Sequence, residues 1–288
     1  MLDLRRSLKR LLGPEVLLMT SETPLRDLII RGVEELTRIL AVGMIHQFLE
    51  LAIQWRENLR NHSVHQLDDE AVAQILRSEL DSETLRVARQ RNTEFETAIE
   101  TESIMKALRE PAGSLEWRNS KQVVFAAARA EEVAIRGIKP SGCRRICVIG
   151  SGAYSQTVLY ALETQLGREI VAIDRSVRAT TLALSVQEYH RLPDWVSYRC
   201  QDGGDVDYGG YDLVVIASLV LEKQEVLRRI VQTCAPNTIV LCRCPVGLGQ
   251  LFYEQVPLEQ MSSMEQLGAI RGSPRSFFKT MLMRRVSV

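Results

Sequence analysis

A chain of 288 residues, 45% apolar and 25% charged, is long enough for two domains with separate cores and too apolar to be disordered. Its 36 Lys and Arg residues balance 36 Asp and Glu, so no overall field draws it to nucleic acid or to an anionic membrane surface. The N-terminus, Met1-Leu2-Asp3-Leu4-Arg5-Arg6, has no apolar run suited to a signal peptide, and no stretch reaches about 18 apolar residues. These features predict a cytoplasmic protein with no nucleic-acid or membrane partner.

From Ser21 to about Arg136 the apolar residues recur at helical spacing, as in Leu28-Ile29, Val33, Leu36 and Ile39-Leu40, and again in Phe48-Leu49, Ile53 and Leu59. Breaks fall at Asn61-His62-Ser63, at Leu80-Asp81-Ser82 with Ser82 near an N-cap, and across Arg109 to Ser114. Residues 1–138 therefore read as an all-α helical domain of five or six helices.

After the turn-rich Gly137-Ile138-Lys139-Pro140-Ser141-Gly142 the pattern changes to short apolar runs alternating with helical stretches. Candidate strands are Ile146–Ile149, Ile170–Ile173, Val196–Arg199, Leu213–Ser218 and Ile239–Cys242, with Phe277–Met283 as a late edge strand. Candidate helices are Tyr154–Leu166, Val177–Tyr189 and Lys223–Thr233. Such alternation predicts an α/β domain over residues 139–288, a parallel sheet with helices on both faces, in the Rossmann-like class. Ligands of these sheets sit at the carboxyl ends of the strands, beside the point where strand order reverses.

Gly150-Ser151-Gly152 follows the first apolar run and opens the next helix, where backbone can turn sharply and approach a ligand. Asp174 closes the second run, 24 residues after Gly150, where an acid can accept both hydroxyls of a ribose. The third run ends at Cys200-Gln201-Asp202, where a polar side chain can meet an adenine amino group. A dinucleotide would call for GxGxxG, but Ser155 stands where the third glycine should be, so the close packing around a pyrophosphate is missing. S-adenosylmethionine (SAM), which has no pyrophosphate, fits better, and a ligand-free structural turn is the plainest alternative. Tyr154, beside the turn, is a candidate for contact with the methionyl part of SAM or simply a packed helix residue.

The order Val148-Ile149-Gly150-Ser151-Gly152, Ile173-Asp174, Val215-Ile216-Ala217-Ser218-Leu219 with Lys223, then Leu241-Cys242-Arg243 and Gly247 ahead of Leu251-Phe252-Tyr253, resembles the nicotianamine synthase family. More narrowly, it is similar to the bacterial nicotianamine-synthase-like enzymes of opine metallophore biosynthesis, of the staphylopine, pseudopaline and yersinopine type. The likeness covers most of residues 95–285 and includes the order of a helical half before a SAM-binding half.

The resemblance implies transfer of the 3-amino-3-carboxypropyl (aminobutanoyl) arm of SAM, not its methyl group, to an amine, with methylthioadenosine released. It implies the α-amine of histidine, D or L, as acceptor and an opine dehydrogenase acting downstream. An α-ammonium is not nucleophilic, so a base must take its proton, a contribution of roughly 10²–10⁴ in rate. The segment from Phe95 to Ser103 carries Glu96, Glu100 and Glu102, and Glu96 and Glu100 share a helix face at i, i+4. Glu100 matches the family's catalytic glutamate, with Glu96 as rival; absent the resemblance, the three acids would read as a solvated helix face. A family tyrosine falls on Phe125 here, a departure that removes a phenol from the acceptor site. Gly150, Ser151, Gly152, Tyr154, Asp174, Asp202 and Ala217 are the expected cofactor contacts.

Arg243 and Lys223, at the ends of the fifth and fourth strand units, are candidates for holding carboxylates of SAM or acceptor, or ordinary surface charges. The six cysteines lie mostly inside apolar runs and read as reduced, packed thiols, and no histidine pair has metalloenzyme spacing, so no metal is expected. The same fold and turn would also serve a small-molecule methyltransferase or a non-enzymatic SAM-binding module. A homodimer is the expected assembly.

Overall fold

The computed structural model describes residues 23–112, 122–253, 255–256, 263–271 and 276–286, with backbone only for 122–127. These residues divide into two compact units, one formed by the chain up to Ile99 together with Pro245–Tyr253, the other by Glu100–Cys244 and the residues after Tyr253. The division falls inside a helix at 99/100, ahead of the 138/139 linker, and returns a short later segment to the helical unit.

In the first unit, α1 (Leu25–Ala41) turns through Gly43, at φ 73°, into α2 (Ile45–Asn61). The two pack through Leu28, Ile29, Leu36 and Ile39 on α1 and Phe48, Ala52, Trp55 and Leu59 on α2, all buried, whereas Ile53, expected on the stripe, is 54% exposed because Ala52 and Trp55 take the inner face. Trp55 Nε1 donates to the Leu28 carbonyl at 3.0 Å, and its indole fills the space beside Gly32 that a side chain would need. Helix α3 (Asp69–Glu79) begins where Asp68 accepts from Ala71 N at 2.8 Å, and α4 (Ser82–Ala107) where Asp81 accepts from Thr84 N at 2.7 Å. The cap of α4 is thus Asp81, and Ser82 is its first helical residue. The returning turn Gly247–Leu251 is buried, with Gly247 N on Asp69 Oδ1 (3.1 Å), Gln250 Nε2 on Asp69 O (2.6 Å) and Leu248 N on His65 Nδ1 (3.2 Å).

The second unit is built on a seven-stranded sheet, β1 (Cys143–Ile149), β2 (Gly167–Asp174), β3 (Val196–Cys200), β4 (Leu213–Ile216), β5 (Ile239–Pro245), β6 (Met264–Ile270) and β7 (Phe278–Arg285), in the order β3-β2-β1-β4-β5-β7-β6. Strands β1 to β5 are parallel, with Ile149 level with both Ile173 and Ile216. Both faces of the parallel strands are covered, one core holding Ile146, Val148, Ile170, Leu213 and Leu241, the other Cys147, Ile149, Val171, Val214 and Cys242. That double burial is why these strands read as continuous apolar runs. Helices α5 (Gln122–Ile138), α6 (Gln156–Glu163), α7 (Val177–His190) and α8 (Lys223–Thr233) complete the unit.

Two expectations change. The sheet is mixed, because β6 and β7 are antiparallel and Arg285 exchanges backbone hydrogen bonds with Asn237 and Thr238 at the start of β5. The late strand is therefore interior, between β5 and the true edge β6, a half-exposed strand in which Glu265, Gln266 and Gly268 interrupt the apolar residues. The helix expected at Tyr154–Leu166 is shorter, because Ser155 caps it by accepting from Val158 N at 3.3 Å.

Candidate active site at the carboxyl ends of the parallel strands

From β1 the chain proceeds outward through β2 and β3 on one side and through β4 and β5 on the other, so strand order reverses between β1 and β4. The glycine turn leaves β1 at that reversal. Its amides are used at once: Gly150 N and Ser151 N both donate to Ile173 O, at 2.8 and 3.1 Å, and Gly152 N donates to Asp174 Oδ2 at 2.8 Å. Gly150 and Gly152 have φ of 69° and 64°, backbone that L side chains adopt only with strain.

The space beside each glycine is taken by this chain's own side chains. A Cβ on Gly150 would collide with Cγ2 of Val220, and one on Gly152 with the carboxylate of Glu100. Glu100 Oε2 accepts from Ala153 N at 3.2 Å, so the acid projected by α4 is seated on the turn itself. Ser151 is buried, and Tyr154 is half-buried against the adjoining core.

Asp174 is fixed by two backbone donors, Gly152 N on Oδ2 and Ser176 N on Oδ1 at 2.9 Å. Each carboxylate oxygen has two acceptor positions, so one on each suits a pair of vicinal hydroxyls. Ser176 then caps α7 by accepting from Ala179 N at 3.2 Å. Asp202, exposed beyond β3, accepts from Gly204 N at 2.8 Å and shapes the turn Gly203–Asp205. Ala217 N donates to Ile149 O at 3.0 Å, placing the loop after β4 against the glycine turn.

The strand ends thus bring together Glu100, Gly150, Ser151, Gly152, Asp174 and Ala217. Lys223 and Arg243 are not presented as open cationic contacts. Lys223 is buried at 2% exposure with Nζ on Ser218 O at 2.5 Å and Val220 O at 3.1 Å. Arg243 forks onto Glu131 of α5, Nε at 3.0 Å and Nη2 at 2.9 Å, and Thr280 Oγ1 of β7 donates to the same carboxylate at 2.5 Å. Burial alone would raise the Glu131 carboxyl, but the Arg243 charge and fork, with the Thr280 hydroxyl, hold it below the ordinary carboxylate range. Phe125 lies on α5, and its side chain is outside the described residues.

Glu96 belongs to the helical unit and enters a separate network. Its Oε1 accepts from Arg56 Nη1 at 2.6 Å and from Tyr253 Oη at 3.4 Å, and Arg56 Nη1 also donates to Asn92 Oδ1 at 2.9 Å. The Arg56 guanidinium lies over the rings of Phe95 and Phe252, 4.8 and 5.3 Å from their centroids. Burial pushes the Tyr253 phenol up.

Val220, Glu131, Arg56 and Tyr253 were not among the sequence candidates. Arg56 had a readable signal, a charge on the apolar stripe of α2 between Ala52 and Leu59. The pairing of Arg243 with Glu131 spans 112 residues and left no local trace. Among the described residues no helix is long and apolar enough to cross a membrane, and no group of three or more His, Cys, Asp or Glu is arranged to hold a metal ion.

No protein-family model and no curated protein matches the chain. Solved structures do. A glutamate-to-glutamine mutant of MtNAS in complex with S-adenosylmethionine superposes with a TM-score of 0.72 at 18% identity, over 91% of this chain and 98% of that one. MtNAS in complex with MTA and tNA gives a TM-score of 0.70 at the same 18% identity and the same coverage of both chains. MtNAS is a nicotianamine synthase. The shared feature is the fold, a mixed seven-stranded Rossmann-like sheet preceded by a helical region.

Proposed function

We propose that this protein transfers the 3-amino-3-carboxypropyl group of SAM to the α-amine of histidine, D or L, and releases methylthioadenosine, in a route to an opine metallophore. The observation that carries the reading is the seat of Glu100, a carboxylate held on the glycine turn of a Rossmann-like sheet, where Gly152 N also donates to Asp174. The resemblance on that turn, on Asp174 and on the strand ends supports it, as does a fold shared with MtNAS, which has been crystallised with SAM and with MTA.

In this reading Asp174 accepts the two ribose hydroxyls of SAM and Asp202 the adenine amino group. The acceptor amine approaches the γ-carbon of the methionyl arm in line with sulfur, at about 3–3.5 Å, with the methyl turned away. Glu100 takes the proton from the α-ammonium. The new N–C bond forms from the nitrogen lone pair as the C–S bond breaks, and its electrons stay on sulfur in methylthioadenosine. Glu100 contributes about 10²–10⁴ in rate. Glu96, paired with Arg56, is the weaker candidate for the base. An opine dehydrogenase then condenses the product with an α-keto acid. Cytoplasmic location and a homodimer belong to the same proposal.

Incubation with SAM and histidine, followed by chromatography, tests it. Methylthioadenosine is the expected nucleoside, and Glu100→Gln should still bind SAM while losing most turnover. S-adenosylhomocysteine instead would make the protein a methyltransferase, and neither product across a panel of amino acids would end the proposal.

A further inference from the structure

Lys223 is the less exposed of the two cationic sequence candidates. Lys223 opens α8, yet its side chain turns back, and its ammonium binds the carbonyls of Ser218 and Val220. A buried ammonium is costly unless strong acceptors replace its water, and two carbonyls of one loop do so here. The same loop, between β4 and α8, is bonded at its ends, through Ala217 N to Ile149 O at 3.0 Å and through Glu222 O, which accepts from Glu225 N and Val226 N at 2.9 and 3.2 Å, and Lys223 ties its middle. Val220 N reaches Ala217 O at 3.4 Å, Glu222 adopts the left-handed conformation at φ 56°, and Leu221 is 56% exposed.

The position of this loop matters to the site. Val220 lies against Gly150, in the space a side chain on that glycine would claim. Ala217, at the other end of the loop, is bonded to Ile149, the residue before the same glycine. The wall of the glycine turn is therefore only as well placed as the loop, and the loop is tied by Lys223.

We infer that Lys223 is a positioning residue: its buried ammonium holds Val220 over Gly150 and so maintains the pocket for the adenosyl co-substrate, without touching either substrate. The inference rests on the SAM reading for its ligand and on the loop geometry for its mechanism.

Lys223→Met removes the ammonium and keeps the stem, Lys223→Gln keeps one donor, and Val220→Ala removes the wall with Lys223 in place. SAM affinity by calorimetry, steady-state kcat and KM for both substrates, and amide hydrogen exchange over residues 150–152 and 217–222 are compared. Lys223→Met should weaken SAM binding and raise its KM about tenfold, a change of about 1.4 kcal/mol, with kcat and acceptor KM moving less than twofold. Lys223→Gln should fall between, and the Lys223→Met/Val220→Ala double variant should be no worse than the poorer single, since both act through one side chain.

A rise confined to the acceptor KM would make Lys223 a substrate contact and overturn the inference, as would additive losses in the double variant. Failure of wild-type protein to bind SAM would instead remove the functional reading. Hydrogen exchange without ligand then still decides the mechanism: faster exchange at 150–152 in Lys223→Met supports it, and unchanged exchange refutes it. If Lys223→Met does not fold, Lys223→Gln with Val220→Ala completes the same cycle.

Discussion

Gly152→Ala carries the sharpest test of how Glu100 is seated. Two costs arise. An L side chain at φ 64° is strained by about 1–2 kcal/mol. The new methyl also collides with the Glu100 carboxylate and breaks its bond to Ala153 N, a charge-assisted hydrogen bond of about 1.5–3 kcal/mol. Together these give a loss of about 2.5–5 kcal/mol in urea unfolding followed by circular dichroism. Gly43→Ala supplies the strain alone, because Gly43 has φ 73° and nothing lies within 4 Å of the position its Cβ would take. The decisive comparison is a cycle within the sheet unit. In a Glu100→Ala background the collision is gone, so Gly152→Ala should cost only the strain, leaving a coupling of about 1.5–3 kcal/mol. Turnover should fall with Gly152→Ala about as far as with Glu100→Gln. Equal costs of Gly152→Ala in both backgrounds would show that Glu100 is not held on the turn, and the base assignment would lose its structural support.

Asp174→Ala should weaken SAM binding by about 1.5–3 kcal/mol, roughly ten- to a hundredfold, and an unchanged calorimetric titration would remove Asp174 from the site. Glu131 has a depressed carboxyl in the folded protein, so its pairing with Arg243 stabilises fully above the unfolded carboxylate range and is lost as pH falls through the folded value. Wild-type unfolding midpoints should therefore drop more steeply than those of Glu131→Gln as pH is lowered below about 4.5, and parallel profiles would contradict this. At neutral pH Glu131→Gln should cost about 3–5 kcal/mol, because it strands a buried guanidinium. Burial pushes the Cys143 thiol up to about 11 and the Cys147 thiol to about 12, and five of the six cysteines are buried. Ellman's reagent should thus meet one fast thiol, Cys200, and a second fast thiol in the native protein would show that a buried position opens.

The legible parts of the fold are those whose signal is local. Strands β1, β2, β4 and β5 announced themselves because burial on both faces leaves no room for polar alternation, and α1 and α2 because one face alone is buried. Strand β6 was hidden: Met264-Glu265-Gln266-Leu267-Gly268-Ala269-Ile270 is a strand because β7 pairs with it, not because of its own pattern. The same distinction divides the site. The position of Asp174 at a strand end was readable, whereas Arg243, expected to hold a carboxylate of SAM or acceptor or to be a surface charge, is instead enclosed by Glu131 and Thr280 from a distant helix and strand. A cation inside Leu241-Cys242-Arg243-Cys244 was the available clue, since a strand of that character is covered on both faces and a charge within it needs a partner.

The glycine turn has a role within the chain that its motif did not announce. Glycine at 150 and 152 suggested backbone laid bare for a ligand, and the left-handed φ values agree that only glycine is at ease there. Yet the vacated volumes are already filled from within the chain, by Val220 at one glycine and by Glu100 at the other. One glycine thereby admits the loop that Lys223 holds, and the other admits the proposed base. Each substitution should then injure a different step: a side chain at 150 displaces the wall of the SAM pocket and raises the KM for SAM, whereas a side chain at 152 displaces the carboxylate and lowers kcat. Two glycines of one turn that served only ligand approach would give the same kinetic defect. Opposite defects from Gly150→Ala and Gly152→Ala would establish that the turn joins cofactor binding to the chemistry through two separate contacts, and matching defects would return it to a single role.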